Sequence, residues 1–167
     1  MPVKNMNRQA IFLLIDFPKS EKEMEFLFNT PSKGGSPLPI TPVQTSHAPA
    51  AIGPYSQAIV SEPFVFVSGQ LGLIPATGAL AGPDIIAQAT QALENLRQIL
   101  LASGSDLHHV VSVDVYLTDM GNFSTFNGIY QQFFSDHRPA RAVVEVSALP
   151  KGGCVEIKCM AVRGPSS

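Results

Sequence analysis

The 167-residue chain is poor in charge and in cysteine. Charged residues make up 14% of it, and the formal net charge is −2 with a pI near 6.0. A nucleic-acid-binding face needs a basic stripe, and no such excess is present. There are two cysteines, Cys154 and Cys159. Two cannot build a disulfide framework, and five positions apart on one strand they point to opposite faces. A reducing, cytoplasmic compartment is therefore expected. No apolar run approaches the roughly 20 residues a membrane helix needs. Neither a Gly-rich phosphate loop nor a Ser-His-Asp order stands out. Adjacent His108 and His109 would face opposite sides of a strand, and no Cys, Asp or Glu spacing completes a metal-ligand set around them. His47 and His137 read as loop residues.

What is present is apolar: hydrophobic residues are 45% of the chain. That excludes a disordered chain and is enough for one core. At the N-terminus Lys4 and Arg8 precede Ile11-Phe12-Leu13-Leu14-Ile15, and Asp16, Glu21, Glu23 and Glu25 follow. The run is too short for a secretory signal and too acidic for a mitochondrial presequence. Residues 31–50 are rich in Pro, Gly, Ser and Thr, as a linker would be. Residues 1–44 are thus expected to be a flexible extension and linker, and 45–167 the folded domain. If the extension acts as an unconventional presequence, the compartment is mitochondrial.

Within the domain, Gln57–Val60 and Pro63–Gln70 read as strands, followed by a Gly/Pro-containing loop from Gly72 to Gly82. Ile86, Ala89, Leu93, Leu96 and Leu100 form one helical stripe, with Pro83 and Asp84 at its start and Gly104 at its end. Val110–Thr118 is a third strand, with Val111, Val113 and Val115 placed on one face. A second helix spans about Ser124–Phe134, with Phe126, Tyr130, Phe133 and Phe134 as its buried face. This order of elements implies an α+β fold: a mixed sheet with helices on one face, its other face covered by homo-oligomerisation.

Arg141 opens an apolar segment, Ala142–Val146, that faces a second one, Val155–Cys159, across the turn Leu149–Gly153. A guanidinium there either pairs with a neighbouring Asp or Glu or takes an anionic ligand through its planar fork. Read as a hairpin with Val144 opposite Cys159, the apolar positions share one face. Arg141, Glu145, Glu156 and Lys158 then share the other, with Glu145 opposite Lys158. In that register Arg141 and Glu156 lie roughly 20 Å apart. A site that uses both would need two subunits.

Several phrases then line up: Ala48–Ala58 (APAAIGPYSQA), Val67-Ser68-Gly69-Gln70, Phe123–Asn127 (FSTFN), Tyr130–Phe134 (YQQFF), Pro139-Ala140-Arg141-Ala142, Leu149-Pro150-Lys151-Gly152 and Val155-Glu156-Ile157. In this order and spacing, over residues 45–165, the chain resembles the Rid/YjgF family, reactive intermediate deaminases also labelled endoribonuclease L-PSP or translation inhibitors. The resemblance implies a chorismate-mutase-like fold, a homotrimer with a central barrel, and sites in the clefts between subunits. It implies hydrolysis of enamine or imine intermediates such as 2-aminoacrylate to 2-keto acids and ammonia, without metal or organic cofactor. Carried over by position, Arg141 clamps the substrate carboxylate and Gly69 offers a backbone N–H. Glu156 orients water and shuttles a proton, and Tyr55 closes the pocket. Ser68 and Asn127 shape it. Where many members carry a cysteine this chain has Val143, whose carbonyl can still hold a water. The same residues also have plain readings: Tyr55 as a turn aromatic, Ser68 and Gly69 as a strand end, Asn127 as a solvated helix residue, and Glu156 as a partner of Lys158 or Lys151. Two other functions stay open: a non-enzymatic, regulatory binder of small carboxylates, and an RNA-cleaving translation inhibitor, which the acidic balance disfavours.

Overall fold

Alternating buried and exposed positions build the sheet, and apolar spacings of three and four build the helices. The computed structural model describes residues 39–164. In chain order the elements are β1 (Ile40–Val43), β2 (Ala58–Ser61), β3 (Phe64–Leu71), α1 (Ile85–Ala102), β4 (Val110–Leu117), α2 (Phe123–Phe134), β5 (Ala140–Glu145) and β6 (Val155–Val162). The strands form one mixed sheet in the order β1-β2-β3-β6-β4-β5. Among the described residues, only β4 and β5 pair in parallel. Strand β1 corrects the linker expectation for residues 40–43, which pair antiparallel with β2. Pro42 fits there because an edge strand tolerates a missing N–H. The run Ile11–Ile15 and the acidic residues after it lie outside the described residues.

Helix α1 starts where Asp84 accepts a hydrogen bond from the Ala87 N–H at 2.9 Å, a side-chain N-cap. It ends at Gly104, whose φ of +75° suits a residue without Cβ. Its buried face runs through Ile85, Ala89, Ala92, Leu93, Leu96, Ile99 and Leu100. Ile86, expected in the stripe, is 58% exposed, and Ile85 takes its place. The expected buried face of α2 holds for Phe126, Tyr130 and Phe134. In β4 a register shift between Val110 and Ser112 turns Val111 away from the core that Val113 and Val115 enter.

The expected β5–β6 hairpin does not form. Strand β4 lies between the two, parallel to β5 and antiparallel to β6. Parallel neighbours need a crossover, and α2 supplies it. Leu149–Gly153 is accordingly not a hairpin turn; Pro150–Gly152 forms a single 3-10 turn. The register is also inverted on β5. Arg141, Val143 and Glu145 pair with Val113, Val115 and Leu117, the core-facing side of β4. Ala142 and Val144, expected inward, are exposed. Lys158 pairs with Asp114 (3.3 Å) and not with Glu145, whose carboxylate accepts from the Met120 N–H. Both cysteines are free.

The core lies between the sheet and the two helices, with Phe126, Leu93, Leu96 and Ile157 fully enclosed. The opposite sheet face leaves Phe64, Phe66, Val144 and Met160 exposed. Among the described residues no helix is long and apolar enough to cross a membrane.

Candidate functional site

The residues singled out from the sequence fall into two groups on one chain. The first surrounds a bulge. Val67 pairs with Cys159 and Gln70 with Ile157, so β3 carries one residue more than β6 between those pairs. Ser68 and Gly69 make the bulge, a feature that re-aims backbone at strand ends. Ser68 Oγ donates to the Ser56 carbonyl at 2.7 Å, which ties the bulge to the segment bearing Tyr55. Gln70 donates from Nε2 to the carbonyls of Ser68 and Gly69. The Glu156 carboxylate lies directly on Gly69: a Cβ there would stand 2.1 Å from Oε1. Tyr55 and Pro150 complete an open depression with Glu156, Ser68 and Gly69. Partial burial pushes the Glu156 carboxyl above its ordinary range, so it keeps a proton more readily than a surface carboxylate.

The loop before β2 is held by a residue whose role the sequence reading missed. Gln57 is 3% exposed. Its Oε1 accepts from the Thr45 N–H at 2.7 Å, and its Nε2 donates to the carbonyls of Thr45, Ala48 and Pro49. This clamp fixes the path of Ala48–Tyr55. Tyr55 then folds back so that its hydroxyl accepts from the Ile52 N–H at 3.3 Å, leaving the ring 47% exposed over the depression. No local signal marked it, because its burial and its partners appear only once the loop is folded.

The second group lies at the other edge of the sheet. Arg141 projects from β5 onto α2. Its Nη2 donates to Asn127 Oδ1 at 2.7 Å, and its guanidinium carbon stands 4.5 Å from the centre of the Tyr130 ring. Among the described residues no carboxylate forms an ion pair with it. Of the two readings of Arg141, the one that needs a neighbouring Asp or Glu finds none among the described residues, and Arg141 and Asn127 open onto a groove shared with His137 and Arg138. Val143 packs half-buried against the core.

The two groups do not meet within one chain. Arg141 pairs with Val113, which pairs with Cys159, three positions from Glu156 along β6. Strand spacing puts the two Cα atoms roughly 14 Å apart. Their side chains also leave opposite faces of the sheet. The separation inferred from the hairpin register therefore survives, for a different reason. Among the described residues, no group of three or more His, Cys, Asp or Glu side chains is placed to hold a metal ion. His109 instead pairs with Asp106 at 2.8 Å.

The endoribonuclease L-PSP family profile matches residues 45–163. The chain belongs to this family, the Rid/YjgF proteins. One Rid relative, the 2-iminobutanoate/2-iminopropanoate deaminase of Bos taurus, is 50% identical over 123 residues, covering 74% of this chain and 90% of that protein. RutC family protein y4sK of Sinorhizobium fredii is 50% identical over 121 residues, 72% of this chain and 96% of its own. Among solved structures, yeast Mmf1 superposes with a TM-score of 0.73 at 40% identity, covering 75% of this chain and 100% of that one. Escherichia coli TdcF, crystallised with bound serine, gives a TM-score of 0.71 at 38% identity over 74% of this chain and 99% of that one. The Rid match thus contains both groups of candidate residues, and it begins after β1.

Proposed function

We propose that this Rid protein hydrolyses 2-imino acids, in equilibrium with enamines such as 2-aminoacrylate, to 2-keto acids and ammonia. The observation that carries the reading is the division of the site. One edge presents an arginine fork with no acidic partner among the described residues. The opposite face presents a desolvated carboxylate seated on a glycine bulge. Each lacks what the other has, and a second copy of the chain supplies it. Relatives about half identical that are named 2-iminobutanoate/2-iminopropanoate deaminase support the substrate class. The exposed apolar sheet face supports assembly through the sheet, and the resemblance favours a homotrimer.

In this reading Arg141 binds the substrate carboxylate with two parallel hydrogen bonds. Protonation of the enamine carbon gives the iminium, and water adds to its C2. Glu156 of the neighbouring copy takes a proton from that water and returns it to nitrogen as the C–N bond breaks, while the carbinol hydroxyl releases its remaining proton to solvent, replacing the one solvent gave to the enamine carbon. The products are a 2-keto acid and ammonia, so one water is consumed per imine. Backbone at Gly69 contacts the carboxylate, Tyr55 covers the pocket, and Ser68 and Asn127 hold its walls. The carbonyl of Val143 is a seat for the water. The test is release of ammonia and pyruvate from freshly generated 2-aminoacrylate, with wild type beside Arg141→Ala. Acceleration by wild type alone is expected. An unaccelerated reaction would make the protein a carboxylate binder, and turnover by the alanine variant would remove the clamp.

A further inference from the structure

We infer that Tyr130 is a positioning residue for the arginine clamp, its ring face holding the Arg141 guanidinium in the plane a substrate carboxylate requires. This deepens the proposed reading and rests on it.

Arginine on an edge strand has many rotamers, and a fork is useful only if its plane is fixed before the ligand arrives. Arg141 is exposed, so packing on all sides does not fix it. Two rings of α2 do so from below. The guanidinium carbon is 4.5 Å from the Tyr130 centroid and 6.0 Å from that of Phe126. Asn127, one turn before Tyr130 on the same helix, takes one Nη2 donor at 2.7 Å. The remaining donors have no partner among the described residues. Tyr130 is itself enclosed: it is 9% exposed and packs against Phe126 and Phe134, with ring centres 5.8 and 4.5 Å away.

The ring, and not the hydroxyl, carries this role. The Tyr130 hydroxyl is buried and has no hydrogen-bond partner among the described residues. Burial also pushes the phenol up to about 12, so it neither gains nor loses a proton near neutrality. What Tyr130 offers the cation is the negative face of its ring, an attraction that depends on ring electronics. Packing depends on ring shape instead, so the two can be separated.

The experiment places phenylalanine and its mono-, di- and trifluorinated analogues at position 130 of the full chain, with Arg141→Ala alongside. Pyruvate affinity is titrated by NMR. Fluorine drains the ring face while leaving the buried shape nearly unchanged. Tyr130→Phe is expected to bind pyruvate like wild type. Affinity should then fall stepwise across the series, by about 5- to 30-fold in total (about 1–2 kcal/mol at about 1.4 kcal/mol per tenfold). A series with equal affinities would overturn the inference, as would loss of binding in Tyr130→Phe, which would assign the role to the hydroxyl. Pyruvate binding by Arg141→Ala as tight as wild type would instead remove the clamp reading. Loss of binding there with a flat fluorine series would remove the platform alone.

Discussion

Gly69→Ala separates the chemistry of the site from the stability of the fold. An alanine Cβ at 69 would stand 2.1 Å from Glu156 Oε1, 2.7 Å from Cδ and 3.1 Å from Cγ. Three atoms of one side chain must move, and no backbone atom is among them. Gly69 is also absent from the glycines with positive φ, so alanine meets no conformational barrier there. Glu156 is half-buried at the mouth of an open depression and can rotate towards solvent. The stability cost should therefore stay within about 1 kcal/mol, below the penalty for a strained core. The catalytic cost should be large, because a displaced acid/base carboxylate forfeits a contribution of about 10²–10⁴ in rate. Urea unfolding gives the first quantity, and kcat/KM on 2-aminoacrylate gives the second. A folded Gly69→Ala protein with wild-type turnover would show that Glu156 does not act from its seat on the bulge.

Other outcomes follow from the same geometry. Gln57→Ala removes a buried side chain with four hydrogen bonds and leaves backbone groups unpaired, so a loss of about 2–4 kcal/mol is expected by urea titration; an unchanged midpoint would show that the loop holds itself. The Glu156 carboxyl is raised by desolvation, so its ionisation opposes folding. The stabilising difference is fully present below the unfolded value near 4.5 and is lost as pH rises through the folded value. Glu156→Gln should consequently be inactive yet at least as stable as wild type at neutral pH, with the gap closing towards acid; greater instability at neutral pH would contradict the desolvation. A chain beginning at Thr45 loses β1 and the packing of Val43, and should unfold about 1–3 kcal/mol more easily than one beginning at Pro39. Equal midpoints would make β1 an ornament of the edge.

Much of this architecture was readable from residue patterns, and the failures have physical causes. Helix α1 announced itself through Asp84, its apolar stripe and Gly104. Strand β6 alternates through Val155, Ile157, Cys159 and Ala161, so its inward face was legible. Strand β5 does not: Ala142, Val143 and Val144 are all apolar, so either face could have been the inner one. Its neighbours were equally open, because nothing local distinguishes a hairpin from a β4-α2-β5 crossover with β6 inserted alongside β4. Residues 40–43 contain Pro42 and follow Pro39, which gives them linker character, and only pairing with β2 makes them a strand. The site residues were recognisable by family phrase, whereas the work of Gln57 and Tyr130 was not. Both act through partners that only the fold brings alongside, Thr45 and Ala48 for one and Arg141 for the other. A buried glutamine and a core tyrosine look ordinary until those partners are placed.

Whether Arg141 and Glu156 of different copies form one active site is decided by mixing two variants. Arg141→Ala and Glu156→Gln proteins should each be inactive alone. Co-assembled at equal amounts, they should recover about one quarter of wild-type turnover on 2-aminoacrylate, because about a quarter of randomly formed interfaces unite an intact arginine with an intact glutamate. Mixed assemblies that remain inactive, with exchange of subunits demonstrated, would contradict a site shared between copies.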